Sequence, residues 1–327
     1  MMRLSKQLKA VFAVFVLLAA ALPAFPAAAT SNLLKTQAPG FFRTMVGDFE
    51  VTALYDGGGP GAYTVEMFKA DPKDVISLLQ ASFADPNQIM GSVSAFLVNT
   101  GEKLILIDAG AGGHWLGPVL GKMASSLVAS GYRPDQVDLI LITHLHADHV
   151  AGITSLDGKL VFPNAEVWVS KADADFWLSE EIAKKAPKDA QEFFEIARKT
   201  TAPYIAAGKW HTFEGAKQFA TGVKARPIAG HTPGHTCYEF VSKGQTLLAW
   251  GDVVHLAPVQ LPKPEIAIGY DVDSPAAVKA RLALLQQLAA DKTVIAGAHM
   301  PFPGIGRLRV DGKGYAWVPV HYVGTLN

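Results

Sequence analysis

Residues 137–149 read V-D-L-I-L-I-T-H-L-H-A-D-H. The first six, Val137 to Ile142, are dominated by leucine and β-branched side chains, as expected of a strand buried on both faces. They run straight into Thr143-His144-Leu145-His146-Ala147-Asp148-His149, where four metal-ligand side chains fall within six positions. Packing does not account for that density. Three imidazoles and a carboxylate are costly to desolvate and the imidazoles repel one another once protonated, whereas a divalent cation turns the same cost into binding. The stretch therefore predicts a strand that delivers ligands at its C-terminal end.

Three more ligand types stand in comparable places. His235 closes the loop His231-Thr232-Pro233-Gly234-His235, Asp252 follows the apolar run Thr246–Gly251, and His299 follows Thr293–Ala298. His144 and His146 are two apart, so on extended chain they share a side. With Asp148 and His149 the set numbers seven. One tetrahedral zinc with an open position takes three protein ligands. Seven suits two ions, each with three ligands of its own and one carboxylate in common. Ions about 3.5–4 Å apart can hold a hydroxide between them and polarise a substrate oxygen. Asp148 and Asp252, which would hold the ions and orient the attacking oxygen, are also the catalytic candidates.

The rest of the chain reads as two β-rich halves separated by helices. Phe49–Tyr55 alternates apolar and polar before Asp56-Gly57-Gly58-Gly59, a strand running into a turn. Ser94–Val98 and Leu104–Ile107 flank Asn99-Thr100-Gly101-Glu102, a hairpin pattern. Pro118–Ser130 reads as a helix with proline near its start and Gly131 after its end. Lys171–Lys199 has helical composition. Val223–Ile228, Tyr238–Val241, Thr246–Trp250 and Thr293–Ala296 read as strands. Asp273-Ser274-Pro275 opens a helix to about Ala290, with a capping residue before proline. Ligands at strand ends in both halves predict an α/β sandwich, helices outside and sheets facing each other inside.

Composition narrows the function classes. The chain has 327 residues, 50% hydrophobic and 18% charged, enough for a substantial core and too apolar for disorder. Arg3, Lys6 and Lys9 precede a 13-residue apolar run, Ala10–Leu22, then Pro23, Pro26 and Ala27-Ala28-Ala29. That is the layout of a secretory signal peptide over residues 1–29, and the run is shorter than the roughly 20 residues a membrane span needs. The mature domain is expected to be 30–327, exported to the periplasm or medium, with no membrane span after signal removal. Losing three basic residues leaves 26 basic against 29 acidic, a net of −3, which offers no footprint for nucleic acid. One cysteine, Cys237, excludes an internal disulfide and reads as a small buried hydrophobe. There is no G-x-S-x-G elbow to supply a serine nucleophile.

The pattern H-x-H-x-D-H followed by His235, Asp252 and His299 resembles the metallo-β-lactamase superfamily over nearly all of the mature chain. Within it the chain is most similar to the exported methyl parathion hydrolase group and its lactonase relatives. Val46-Gly47-Asp48-Phe49-Glu50, Gly230–Thr236, His299–Gly306 and Gly312–Tyr322 carry that likeness. The resemblance implies a four-layer αβ/βα sandwich of two facing mixed sheets with helices on the outer faces. It also implies His144, His146 and His235 on one ion, Asp148, His149 and His299 on the other, and Asp252 bridging. The cations would be zinc first, with Mn2+, Co2+ or Fe2+ compatible with the same donors. It implies a structural Asp108 that orients the ligand loop, and it is compatible with a homodimer. Diiron oxidoreductases of the superfamily carry a carboxylate where His146 stands, which sets them aside.

For the substrate pocket the sequence offers Trp115, Trp177, Phe193, Phe194 and Tyr270 as aromatic walls, Trp177 and Tyr270 foremost, with His255 three residues beyond Asp252. Methyl parathion hydrolases are apolar at the His255 position. A polar group there suits a lactone or ester carbonyl more than a phosphotriester. The expected activity is hydrolysis of small lactones or aryl esters by the oxygen held between the metals, with phosphotriesterase activity beside it. The alternatives are a dedicated organophosphate hydrolase, a β-lactamase and, from another class, a non-catalytic metal-binding protein.

Overall fold

β1 (Phe41–Val46), β2 (Phe49–Gly57), β3 (Val93–Asn99), β4 (Leu104–Ile107), β5 (Leu139–Leu141), β6 (Glu166–Ser170) and β7 (Trp210–Phe213) are hydrogen-bonded in that order in the computed structural model, which describes residues 33–326. Pairing is antiparallel from β1 to β4 and parallel from β4 to β7. The second sheet also follows chain order: β8 (Gln218–Ala220), β9 (Val223–Pro227), β10 (Thr236–Ser242), β11 (Gln245–Ala249), β12 (Val294–Ala296), β13 (Ile305–Asp311) and β14 (Gly314–Pro319). Its β11–β12 pair is parallel and the others antiparallel. Both sheets are therefore mixed. The helices are α1 (Pro72–Ala81), α2 (Met123–Ala129), α3 (Ala147–Val150), α4 (Lys171–Trp177), α5 (Glu180–Lys185), α6 (Lys188–Ala206), α7 (Ala257–Gln260) and α8 (Ser274–Asp291). Pro39 onward forms one compact unit. The signal-peptide reading lies on residues 1–29, outside the described residues.

Alternation along the strands sorts side chains into layers. Phe96 and Val98 of β3, with Ile105 and Ile107 of β4, face Tyr238, Phe240, Leu247, Ala249 and Ile305 of the second sheet. Their neighbours Ala95, Leu97, Leu104 and Leu106 point the other way, onto Leu127 of α2, Trp177 of α4 and Phe194 and Tyr204 of α6. On the far side, Cys237, Leu248 and Ile295 meet Leu284, Leu285 and Leu288 of α8. The result is helix, sheet, sheet, helix. Each large apolar side chain taken from water contributes about 1.5–3 kcal/mol, so the three apolar seams hold the layers together.

Two helical expectations change. Pro118–Ser130 is helical from Met123 to Ala129 alone. The buried Asp56 carboxylate accepts the N–H groups of Ala111 (3.0 Å), Gly121 (3.1 Å) and Met123 (3.0 Å), and Gly121 has φ +101°, so the first residues wrap that carboxylate in a turn. The 171–199 region is three helices. Ser179 caps α5 by accepting from Ile182 N at 3.2 Å, Pro187 precedes α6, and α6 runs on to Ala206. The helix opening at Asp273 forms as expected, its carboxylate accepting from Ala276 N at 3.0 Å.

Candidate metal centre

β5 ends at Leu141, and the chain stays non-helical through His146, the extended residue that precedes α3. That break puts His144 and His146 on the strand side of the turn and Asp148 and His149 on the helical side, all four buried. Asp108, directly after β4, fixes the turn. It accepts Thr143 N at 2.7 Å and Thr143 Oγ1 at 2.8 Å, and lies 2.8 Å from His149 Nδ1. With Nδ1 so engaged, His149 turns Nε2 inward. This is the orienting role expected of Asp108.

Asp252 stands at the centre, carried in from the second sheet after β11. Its Oδ1 is 3.0 Å from His149 Nε2, and its Oδ2 is 3.3 Å from His231 Nε2 and 3.1 Å from His299 Nε2. His144 Nε2 is 3.6 Å from the same oxygen. Gly251, with φ +55°, makes this approach possible, because a Cβ there would sit 2.5 Å from His235 Nε2. His299, past β12, is set by Nδ1 at 2.9 Å from Ser92 O, and its Nε2 is 3.6 Å from Asp148 Oδ2.

Six of the seven expected residues converge, and His235 does not. Its Nε2 accepts the backbone N–H of Asp252 at 3.1 Å and so braces the strand end. Burial and the neighbouring His231 push its imidazole down to about 3, so it remains a neutral acceptor. His231 occupies the expected place. Its Nε2 lies 3.2 Å from His144 Nε2 and 3.1 Å from His146 Nδ1, while Nδ1 is held 3.0 Å from Asp271 Oδ1. Both histidines belong to one loop between β9 and β10, and i to i+4 spacing in a loop carries no facing rule. What turns His235 away is that Gly234 N donates to Asp173 at 2.7 Å and Thr236 N to Thr143 O at 3.0 Å, tying that end of the loop to the first sheet.

The donor atoms fall into groups of which each lies within 4.8 Å: His144, His146, His231 and Asp252; Asp148, His149 and His299; and Asp252, His255 and His299. Among the described residues, buried His149 Nε2 and Asp252 Oδ1 have no hydrogen-bond partner despite their 3.0 Å separation. Burial, then the charge of neighbouring imidazoles, holds His144 and His146 well below the ordinary histidine range. Against their own burial, Asp252 and the other nearby carboxylates raise His149 and His299 above that range and His231 to about 9. Imidazoles and carboxylates packed this closely are the donor set of a borderline-soft divalent cation.

Two cavities flank the cluster. One, of 190 Å³, is lined by the Gly58–Gly61 turn, Tyr63, Trp115, Leu116, Val119, Phe193, Tyr270, His255 and the cluster residues His146, Asp148, Asp252 and His299. The other, of 620 Å³, runs between α4–α6 and residues 269–272, past Phe176, Trp177, Ile182, Phe193, Phe194 and Tyr270. The two share His146, Phe193 and Tyr270. Trp115, Phe193, His255 and Tyr270 thus reach the pocket at the cluster, while Phe194 lines the second cavity alone. Trp177 likewise does not reach the cluster pocket. It is buried edge-on against His146 at 5.0 Å between centroids and faces the second cavity, where Phe194 packs 4.6 Å from it. The sequence marks Gly57-Gly58-Gly59 only as a turn, and no local spacing marks it, Leu116, Val119 or Tyr63 as part of the pocket.

Residues 89–299 match the family profile described as metallo-beta-lactamase superfamily. Among solved structures, a hydrolase named AbOPH, described as in the beta lactamase superfamily, is 42% identical with a TM-score of 0.83, covering 88% of this chain and all of that one. AidC, described as a dizinc quorum-quenching lactonase in complex with a homoserine product, is 26% identical with a TM-score of 0.80, covering 87% of this chain and 99% of its own. The exodeoxyribonuclease WalJ of Streptococcus pneumoniae is 27% identical over 113 residues, 34% of this chain and 37% of that protein. This chain thus spans little more than a third of that curated relative.

Proposed function

The chain belongs to the metallo-β-lactamase superfamily, and we propose that it is an exported hydrolase of small lactones or aryl esters that works with two divalent cations, zinc foremost. The observation that carries this reading is Asp252, whose carboxylate stands between the two halves of the cluster, 3.6 Å and 3.3 Å from His144 and His231 Nε2 and 3.0 Å and 3.1 Å from His149 and His299 Nε2. His144, His146 and His231 would hold one cation and Asp148, His149 and His299 the other, with Asp252 shared. Bound there, the pair supplies Lewis acidity and lowers the pKa of water.

The protein's own groups do the rest. Asp108 and Asp271 accept from the outward nitrogens of His149 and His231, so both rings present Nε2 inward. The apolar walls exclude water from the reacting bond and orient an aryl or alkyl group. The cluster pocket, walled by Trp115, Leu116, Val119 and Phe193, suits a substrate with an apolar group beside the scissile bond. His255 is buried with Nε2 3.1 Å from Asp252 Oδ2, and among the described residues its Nδ1 has no hydrogen-bond partner, so Nδ1 is the nitrogen left to meet a carbonyl or ring oxygen. A phenolate leaving group needs little protonation, so no separate general acid is required for aryl substrates.

The likeness to AidC supports the lactone side of this reading, and the apolar pocket favours small molecules over a nucleic-acid backbone. The test is a rate panel on the mature protein with aryl lactones, acyl-homoserine lactones, aryl acetates, phosphotriesters and a β-lactam. Lactones and aryl esters are expected to lead. A phosphotriester rate far above every lactone rate would establish instead the dedicated organophosphate hydrolase. Metal binding without turnover on any of them would mark a binding protein.

A further inference from the structure

Arg281 is buried in the middle of α8, an uncommon place for a guanidinium. It donates from Nε to Val253 O at 2.6 Å and from Nη1 to Ile266 O at 2.7 Å and Pro264 O at 3.1 Å. Its Nη2 lies 3.8 Å from Asp271 Oδ2. Asp271 in turn accepts Ile268 N at 3.2 Å on Oδ2 and lies 3.0 Å from His231 Nδ1 through Oδ1. The backbone closes the same frame, with Val272 N donating to His231 O and Asp273 N to Gly230 O, both at 2.9 Å. Three segments are thus tied at one point: the residues after Asp252, the wall 264–272 that carries Tyr270, and the loop of His231.

A buried ion pair is weak evidence for stability, because desolvation offsets much of the attraction. The value of this one lies in placement. An acceptor on Nδ1 keeps the His231 proton there and directs the Nε2 lone pair to the cluster. We propose that Asp271 and Arg281 are positioning residues that fix His231 for one of the two cation sites and couple that site to the Tyr270 wall of the pocket. The proposal rests on the two-cation reading above. It predicts an asymmetry. Disturbing the brace weakens the site that uses His231 and leaves the site of Asp148, His149 and His299, which Asp108 and Ser92 orient separately.

The experiment measures zinc affinity of the full mature protein by competition with a chromophoric chelator, together with the visible spectrum of the Co2+-loaded protein. Variants are Asp271→Ala, Asp271→Asn, Arg281→Met and Arg281→Lys. Asp271→Ala is expected to weaken one metal equivalent about 10- to 100-fold, as outer-shell changes do, and to alter one part of the cobalt spectrum. The second equivalent stays within about twofold of wild type. Asp271→Asn, which keeps an acceptor oxygen, recovers part of the loss. Arg281→Met raises KM for a bulky aryl ester more than it lowers kcat, and Arg281→Lys lies between. Melting of the metal-free variants separates this from general loosening. Equal loss of both equivalents with a lowered melting temperature would reduce the brace to a structural role and overturn the proposal. So would wild-type affinity at both sites in Asp271→Ala. A wild-type protein that binds no divalent cation would refute the two-cation reading itself, and the proposal with it.

Discussion

His231 and His235, four residues apart in one loop, approach Asp252 from different sides: His231 Nε2 is 3.3 Å from the carboxylate, and His235 Nε2 accepts the Asp252 backbone N–H at 3.1 Å. One reads as a ligand and the other as a brace for the strand end that holds the bridging carboxylate. His231→Ala is expected to lose one equivalent of metal and to lower kcat/KM by more than the roughly 10–100-fold of outer-shell changes. His235→Ala is expected to keep both equivalents while losing about 1–3 kcal/mol of stability, since it leaves a buried N–H without an acceptor. Metal content by mass spectrometry and urea unfolding of both variants decide the assignment; loss of metal in His235→Ala alone would reverse it.

Removal of the cations should be felt by the whole fold. The cluster brings ligands from both sheets to one point, so bound cations stabilise the native state in proportion to their occupancy. At a free concentration of about 100 Kd each contributes roughly 2.7 kcal/mol, which is a fall of roughly 5–10 °C in Tm per cation on chelation. Zinc added back should restore both Tm and activity. An unchanged Tm after complete chelation would deny the cluster its structural share.

His255 lines the pocket beside the cluster, stacked on His299 at 5.3 Å between centroids. His255→Leu removes a hydrogen bond worth about 0.5–1.5 kcal/mol to a carbonyl or ring oxygen. The ratio of ester or lactone to phosphotriester kcat/KM is therefore expected to fall about 3- to 10-fold. A constant ratio would place His255 outside substrate contact.

Asp173 joins the two ligand loops, accepting Leu145 N at 2.8 Å and Gly234 N at 2.7 Å from a fully buried position. Asp173→Asn sets an amide N–H against one of those donors and is expected to cost about 1–3 kcal/mol in the metal-free protein. Burial raises this carboxyl to about 6, above its ordinary value of 3.8. The native state therefore holds the proton more tightly than the unfolded one. This group's contribution is present in full below pH 3.8 and is lost as pH rises through 6. Comparing urea unfolding of wild type and Asp173→Asn across pH 4–7 should show an added loss of stability with rising pH in wild type that the variant lacks.

Much of the fold was legible because buried strands and amphipathic helices carry their own periodicity. The apolar run before His144, the hairpin around Gly101 and the capped start at Asp273 all formed where expected. The helix around Ser125 starts later than its sequence predicts, since the carboxylate that diverts residues 117–122 is Asp56, more than sixty positions earlier. Short edge strands such as β8 leave almost no pattern, being stabilised by pairing with neighbours distant in sequence.

By itself the sequence determined the donor chemistry and its count: clustered imidazoles and carboxylates at strand ends are a local property, written in residue type and spacing. Which member of the H-T-P-G-H loop turns inward, which aromatic rings line the pocket and which buried carboxylate orients His231 were decided by the tertiary structure. Those outcomes depend on the ties of Gly234 to Asp173 and of His231 to Asp271, contacts 61 and 40 residues apart along the chain. No local spacing encodes a contact of that span, because it exists only once two sheets and the helix behind them have packed.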